Sequence, residues 1–226
     1  MVAKRPWIFL VLWIFLTAIL AFMLAEWSLS NPSVTNWFKT PQGYFTTSML
    51  GLLMGVTIII GLQLPKIPQA FFELFSLQLS LKEIRPIWLL AGIAVGELSY
   101  LHPRAWHAGS VLLANAVLRG RAEGGLAYII GAAVLGPIPE ELILRGYLYQ
   151  GFRFSYGRTI GTLIIIVLSI VLHLGAFHWT FYGSFVYGGL AALLCWIFES
   201  RKNLLDCILF HIAYNATLVC HTILIR

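Results

Sequence analysis

Several ionisable and amide side chains sit inside apolar runs of this sequence, at spacings that suit hydrolytic chemistry. The first group lies in Gly136-Pro137-Ile138-Pro139-Glu140-Glu141-Leu142-Ile143-Leu144-Arg145-Gly146. Glu141 and Arg145 are four residues apart, so on a helix they share a face and can pair. Glu140 projects about 100° away around the same helix, which leaves it the freer carboxylate. The two prolines ahead remove N–H groups that a helix interior would use. Broken helices at membrane depth are tolerated chiefly where they line a cavity. The plainer explanation is that a glutamate pair after proline marks a helix N-terminus at a membrane surface.

Two further groups follow. His173, in Leu172-His173-Leu174, ends an apolar run, and His178 lies five residues on beside Trp179. Five residues fit one helical face poorly, and Trp179 with Phe181 reads as an interfacial aromatic belt. His211-Ile212-Ala213-Tyr214-Asn215 again has i,i+4 spacing, which puts His211 and Asn215 on one face. Taken singly, these histidines have ordinary accounts, as interface residues or as hydrogen-bonding glue between helices.

Taken together they suggest hydrolysis. A carboxylate and an imidazole can take a proton from water and return it to a leaving amine. A second histidine and an amide can donate to the developing oxyanion. Glu140, His173 and His211 could equally hold a divalent metal such as zinc, with an open position for water. No HExxH is present, so spacing assigns no metal, and metal-free water activation is equally compatible.

The elements that must position these groups are membrane helices. Of the 226 residues 59% are hydrophobic and 11% charged, against about 25% charged in soluble domains. The expected fold is all-α: a polytopic transmembrane bundle of about seven or eight helices with the polar site inside it. Residues 1–226 form a single integral membrane domain. Within it, 1–123 supplies N-terminal membrane and interfacial helices, and 124–226 the helices that carry the motifs. Cys195, Cys207 and Cys220 form no CxxC pair and are expected to be buried free thiols. The net charge of +6 comes without the basic run of a nucleic-acid patch, so no nucleic-acid partner is expected.

The apolar runs predict spans at Trp7–Trp27, Tyr44–Leu64, Pro86–Leu101, Gly124–Tyr149, Thr159–Trp179, Phe181–Glu199 and Leu204–Ile225. An amphipathic interfacial stretch is predicted over Lys66–Arg85. Trp106–Leu118 is short for a span and suits a re-entrant or interfacial helix as well. With a cytoplasmic N-terminus and no crossing there, nine basic residues face the cytoplasm and five face out. The inner nine are Lys4, Arg5, Lys66, Lys82, Arg85, Arg153, Arg158, Arg201 and Lys202. If Trp106–Leu118 does cross, the split becomes eight to six. The positive-inside rule favours seven spans by that small margin.

The order Glu-Glu-x-x-x-Arg, then a late histidine in the next helix, then His-x-x-x-Asn in the last resembles the CPBP family. That family comprises CAAX prenyl endopeptidases, bacteriocin-processing and immunity-linked proteins and related intramembrane proteases. The resemblance runs from about Gly131 to Thr217. Glu140 to Gly146 matches a full first motif and His211 to Asn215 a full third. In the second motif, Phe-x-x-x-His, Ser169 stands where phenylalanine is usual, and His178 with Leu174 at that offset fits no better. The resemblance implies an intramembrane endopeptidase acting near the C-terminus or membrane anchor of a membrane-associated protein. It implies that Glu140 and His173 activate water, that His211 and Asn215 stabilise the oxyanion, and that Glu141 and Arg145 support the site. The expected setting is a bacterial or archaeal cell membrane. The substrate, whether prenylated tail, sorting tail or leader peptide, is left open, as is the oligomeric state.

Two other readings compete. A non-catalytic scaffold or immunity protein would keep the motif as a polar core. A small proton-coupled transporter would use Glu26, Glu97 and Glu140 as a relay, and would be favoured by inverted repeats, of which the sequence shows none.

Overall fold

The computed structural model describes residues 6–29, 50–51, 53–57, 84–101, 130–173 and 181–224. Among these residues the fold is all-helical, with no strand. The elements are α1 (Pro6–Leu29), α2 (Ile87–Leu101), a π-helical turn (Gly131–Leu135), α3 (Pro137–Glu141), a second π-helical stretch (Leu142–Tyr149), α4 (Gln150–Leu172), α5 (Phe181–Arg201) and α6 (Leu204–Leu224). Residues 50–51 and 53–57 are also helical. Among the described residues three helical stretches are long and apolar enough to cross a membrane: Ala133–Leu172, Gly183–Arg201 and Leu204–His221. Trp7–Thr17 and Ile87–Ser99 are shorter apolar helices. The expected interfacial stretch (but for its last two residues), the doubtful Trp106–Leu118 and His178 lie outside the described residues.

The stretch Ala133–Leu172 is 40 residues long, roughly 60 Å at 1.5 Å per residue and about twice a hydrocarbon core. It does not run straight. Gly157 has φ 84° and ψ 168°, a conformation open essentially only to glycine, and the chain reverses there. A side chain on Gly161 would come within 2.9 Å of the Arg153 nitrogen, so the two arms of this hairpin touch just beyond the turn. The loop expected between Tyr149 and Thr159 is therefore mostly helix, closed by one glycine. The following helix ends at Leu172, short of the expected Trp179.

The N-terminal part of this stretch is wound loosely for a local reason. Pro137 and Pro139 have no N–H to donate to the carbonyls four residues back, and their rings crowd those carbonyls. The turn before them widens instead, and the Gly136 N–H donates to the Gly131 carbonyl at 2.8 Å, an i→i+5 bond. Such π-turns recur at functional sites.

α6 is the axis of the bundle and packs most extensively on α2. Gly92 and Gly96 let the two backbones approach. A Cβ on Gly92 would lie 2.8 Å from the Ala213 Cβ, and one on Gly96 2.8 Å from the Thr217 Cβ. Small residues four apart serve this purpose in membrane helices, where lipid is as apolar as leucine and close packing must hold helices together. The core contains Phe9, Ile143, Leu148, Tyr149, Phe152, Ile165, Leu194, Ile197 and Phe210. Large apolar side chains such as Val11, Phe15, Leu90, Val167 and Phe185 point outward. Cys195 and Cys207 are buried as expected, whereas Cys220 is exposed.

Candidate active site

The first glutamate pair divides as its spacing predicts. Glu141 is fully buried, and its Oε1 accepts a hydrogen bond from Arg145 Nη1 at 2.8 Å. Arg145 Nη2 reaches the Ala191 carbonyl of α5 at 3.4 Å. The same Glu141 Oε1 is 2.8 Å from His211 Nδ1 on α6. One carboxylate oxygen thus joins three elements: α3, the π-helical stretch that carries Arg145, and α6. With Nδ1–H given to Glu141, the opposite ring nitrogen, Nε2, faces Glu140 at 4.0 Å from Oε2.

Glu140 differs from its neighbour in access. Its side chain is 25% exposed, against 0% for Glu141. Among the described residues its only ion-pair contact is the long one to His211. Asn215 is half-buried one helical turn beyond His211 on α6 and is engaged in an interaction of its own.

His173 caps the C-terminal end of α4. Its Nδ1 lies 2.8 Å from the Ser169 carbonyl, and its ring stacks on Tyr187 of α5 with centroids 4.3 Å apart. Among the described residues it makes no hydrogen bond or ion pair with Glu140, Glu141, Arg145 or His211. Its height in the bundle is nevertheless that of Glu140. Phe152 and Gly161 meet across the hairpin. From them the chain runs twelve residues to Glu140 (152 − 140) and twelve to His173 (173 − 161), and His173 stacks on Tyr187 one turn of α5 from Ala191, whose carbonyl Arg145 reaches.

Among the described residues no three His, Cys, Asp or Glu side chains converge on a point.

One polar pair lies apart. Glu97 on α2 meets His221 on α6, Oε2 to Nε2, at 2.8 Å. His221 is ten residues beyond His211 (221 − 211), roughly 15 Å along α6. Glu97 and Glu140 therefore do not form a continuous relay. The side chain of Glu26 lies outside the described residues.

Gly92 and Gly96 were not among the residues the sequence singled out, although the GxxxG spacing was there to read. They seat the helix that carries His211 and Asn215. Residues 122–217 match the model of the family described as Type II CAAX prenyl endopeptidase Rce1-like. No curated protein and no solved structure matches the chain.

Proposed function

We propose, from the match of residues 122–217 to the model of the Rce1-like family of type II CAAX prenyl endopeptidases, that the chain is an intramembrane endopeptidase. It hydrolyses a peptide bond near the C-terminus or membrane anchor of a membrane-associated protein. The observation that carries this reading is the pair Glu140 and His211, with Oε2 and Nε2 4.0 Å apart and Glu141 holding the far side of the imidazole. A single water bridges such a gap with two hydrogen bonds of about 2.8 Å.

In this mechanism Glu140 takes a proton from that water as its oxygen attacks the peptide carbonyl. A tetrahedral oxyanion forms. It collapses as the C–N bond breaks, and the departing amine receives the proton from Glu140. His211 donates to the oxyanion through Nε2 while its Nδ1–H stays on Glu141. The buried carboxylate behind the ring stabilises the imidazolium that this requires. The Asn215 amide, one turn on, adds a second donor. His173, at the height of Glu140 on the neighbouring helix, helps to orient the water. No step is routed through a metal.

We further propose seven membrane passes with a cytoplasmic N-terminus. Support comes from the clustering of Arg85, Arg153, Arg201 and Lys202 with the start of α1 at one end of the bundle, where Trp7 Nε1 donates to the Tyr156 hydroxyl at 2.8 Å.

The test is a comparison of membrane proteomes from cells carrying the wild-type chain and Glu140→Ala. The mutant is expected to accumulate at least one uncleaved membrane-associated precursor while its own level in the membrane is unchanged. Normal processing by Glu140→Ala would leave the scaffold reading, in which the motif is only a polar core.

A further inference from the structure

The α4–α5 face near the basic end of the bundle holds a cleft of about 250 Å³, lined by Arg158, Thr159, Thr162, Leu163, Ala192 and Trp196. That space is about eight water volumes, enough for a phosphate with its glycerol. It lies away from Glu140 and His211. We propose that this cleft binds the headgroup of an anionic phospholipid, its phosphate held by the Arg158 guanidinium and the Thr159 hydroxyl.

Charge complementarity identifies the occupant. Arg153 and Lys202 are paired to Glu199, and Arg201 to Asp206. Arg158 has no carboxylate partner among the described residues, and its guanidinium presents donors in the planar fork that suits phosphate. The cleft lining contains no acidic side chain, so no carboxylate there would pair with the cation of a choline or ethanolamine headgroup. Basic pockets between membrane helices take anionic headgroups for this reason.

The floor of the cleft distinguishes a lipid from a free anion. Leu163 is 55% exposed and Trp196 49% exposed. Trp196 is held edge-on against Trp88 of α2, with centroids 5.8 Å apart. Val167, one turn above Leu163, continues the exposed apolar flank. An acyl chain can leave the phosphate and lie along this flank, which a free phosphate cannot use. An exposed arginine and tryptophan near a helix end can also be plain interfacial anchors. A concave cleft with the Thr159 hydroxyl beside the arginine separates this face from that arrangement.

Native mass spectrometry of the purified full chain tests the site, with phosphatidylglycerol or phosphatidylcholine added in detergent. The wild type should retain one phosphatidylglycerol and not the phosphatidylcholine. Arg158→Gln should weaken that retention about tenfold or more, since a charge-assisted bond is lost. Ala192→Leu keeps the arginine but fills the cleft, and should weaken it similarly. Arg158→Lys should fall between, which keeps the test open if the glutamine variant folds poorly. Equal retention of both lipids, or wild-type retention by Arg158→Gln or Ala192→Leu, overturns the proposal. Displacement of the lipid by millimolar inorganic phosphate would show a free-anion site and overturn it too. Failure here leaves the peptidase reading untouched.

Discussion

Glu141 Oε1 takes two hydrogen bonds, from Arg145 and from His211, at 2.8 Å each. Both it and the guanidinium are buried. Removing one partner of a buried ion pair leaves an uncompensated charge and costs about 3–5 kcal/mol. Glu140 is more open and has no such bond. The two neighbours should therefore respond differently. Glu141→Ala is expected to lose most of its folded, monodisperse yield, while Glu140→Gln stays folded and loses cleavage. Thermal melts of both variants in detergent, beside the wild type, separate the roles. A Glu141→Ala variant that melts within a degree or two of wild type would refute the bridging role. The Glu141–Arg145 half of this network was legible in the sequence because it is local, set by helical periodicity alone. The Glu141–His211 half spans 70 positions and depends on how α6 seats against α3, which no local spacing encodes. His173 shows the same limit: the motif order singled it out, but its stacking on Tyr187 follows from the packing of α4 on α5.

Among the elements, the hairpin about Gly157 sets the relative height of Glu140 and His173. Its φ of 84° with ψ of 168° lies outside the left-handed helical region that asparagine tolerates. A side chain there meets nothing within 4 Å, so the only obstacle is backbone strain, about 1–3 kcal/mol. Gly157→Ala should therefore lower the melting temperature, and Gly157→Asn should give no relief relative to alanine. Rescue by asparagine would mean that the turn relaxes to an ordinary left-handed residue. Apolar runs marked both arms of this hairpin correctly. The boundary was misread because Gln150 to Tyr156 carries a polar composition that looks like a loop. In the structure it is a helix, with Arg153 bound to Glu199 of α5. The prolines were a better guide, since the backbone they loosen is where the π-turn forms.

At the scale of the whole molecule, helix polarity constrains the connections. The Arg85 N–H donates to Asp206 at the start of α6 at 3.1 Å. Farther along, Gly92 faces Ala213, Gly96 faces Thr217, and Glu97 meets His221, so α2 and α6 run parallel. Glu141 pairs with His211 while the Tyr149 hydroxyl donates to Glu199 near the start of α6, so the run from Ile130 to Tyr149 is antiparallel to both. Leu101 and Ile130 consequently lie at the same end of the bundle, opposite the basic cluster. The proposed seven passes ask the intervening connection to leave and return on one side, and its 28 residues (129 − 101) are fewer than two spans of about 20 residues each need. Charge counting alone had favoured seven spans over eight by one residue in fourteen. The parity argument rests on contacts instead. In a chain with Cys195, Cys207 and Cys220 replaced by serine, Pro103→Cys and Gly120→Cys should react with a membrane-impermeant maleimide from the same side. Ser155→Cys, between Arg153 and Gly157, should react only from the other. Labelling of positions 103 and 120 from opposite faces would require an eighth pass and would break the polarity that brings Glu140 to the height of His173.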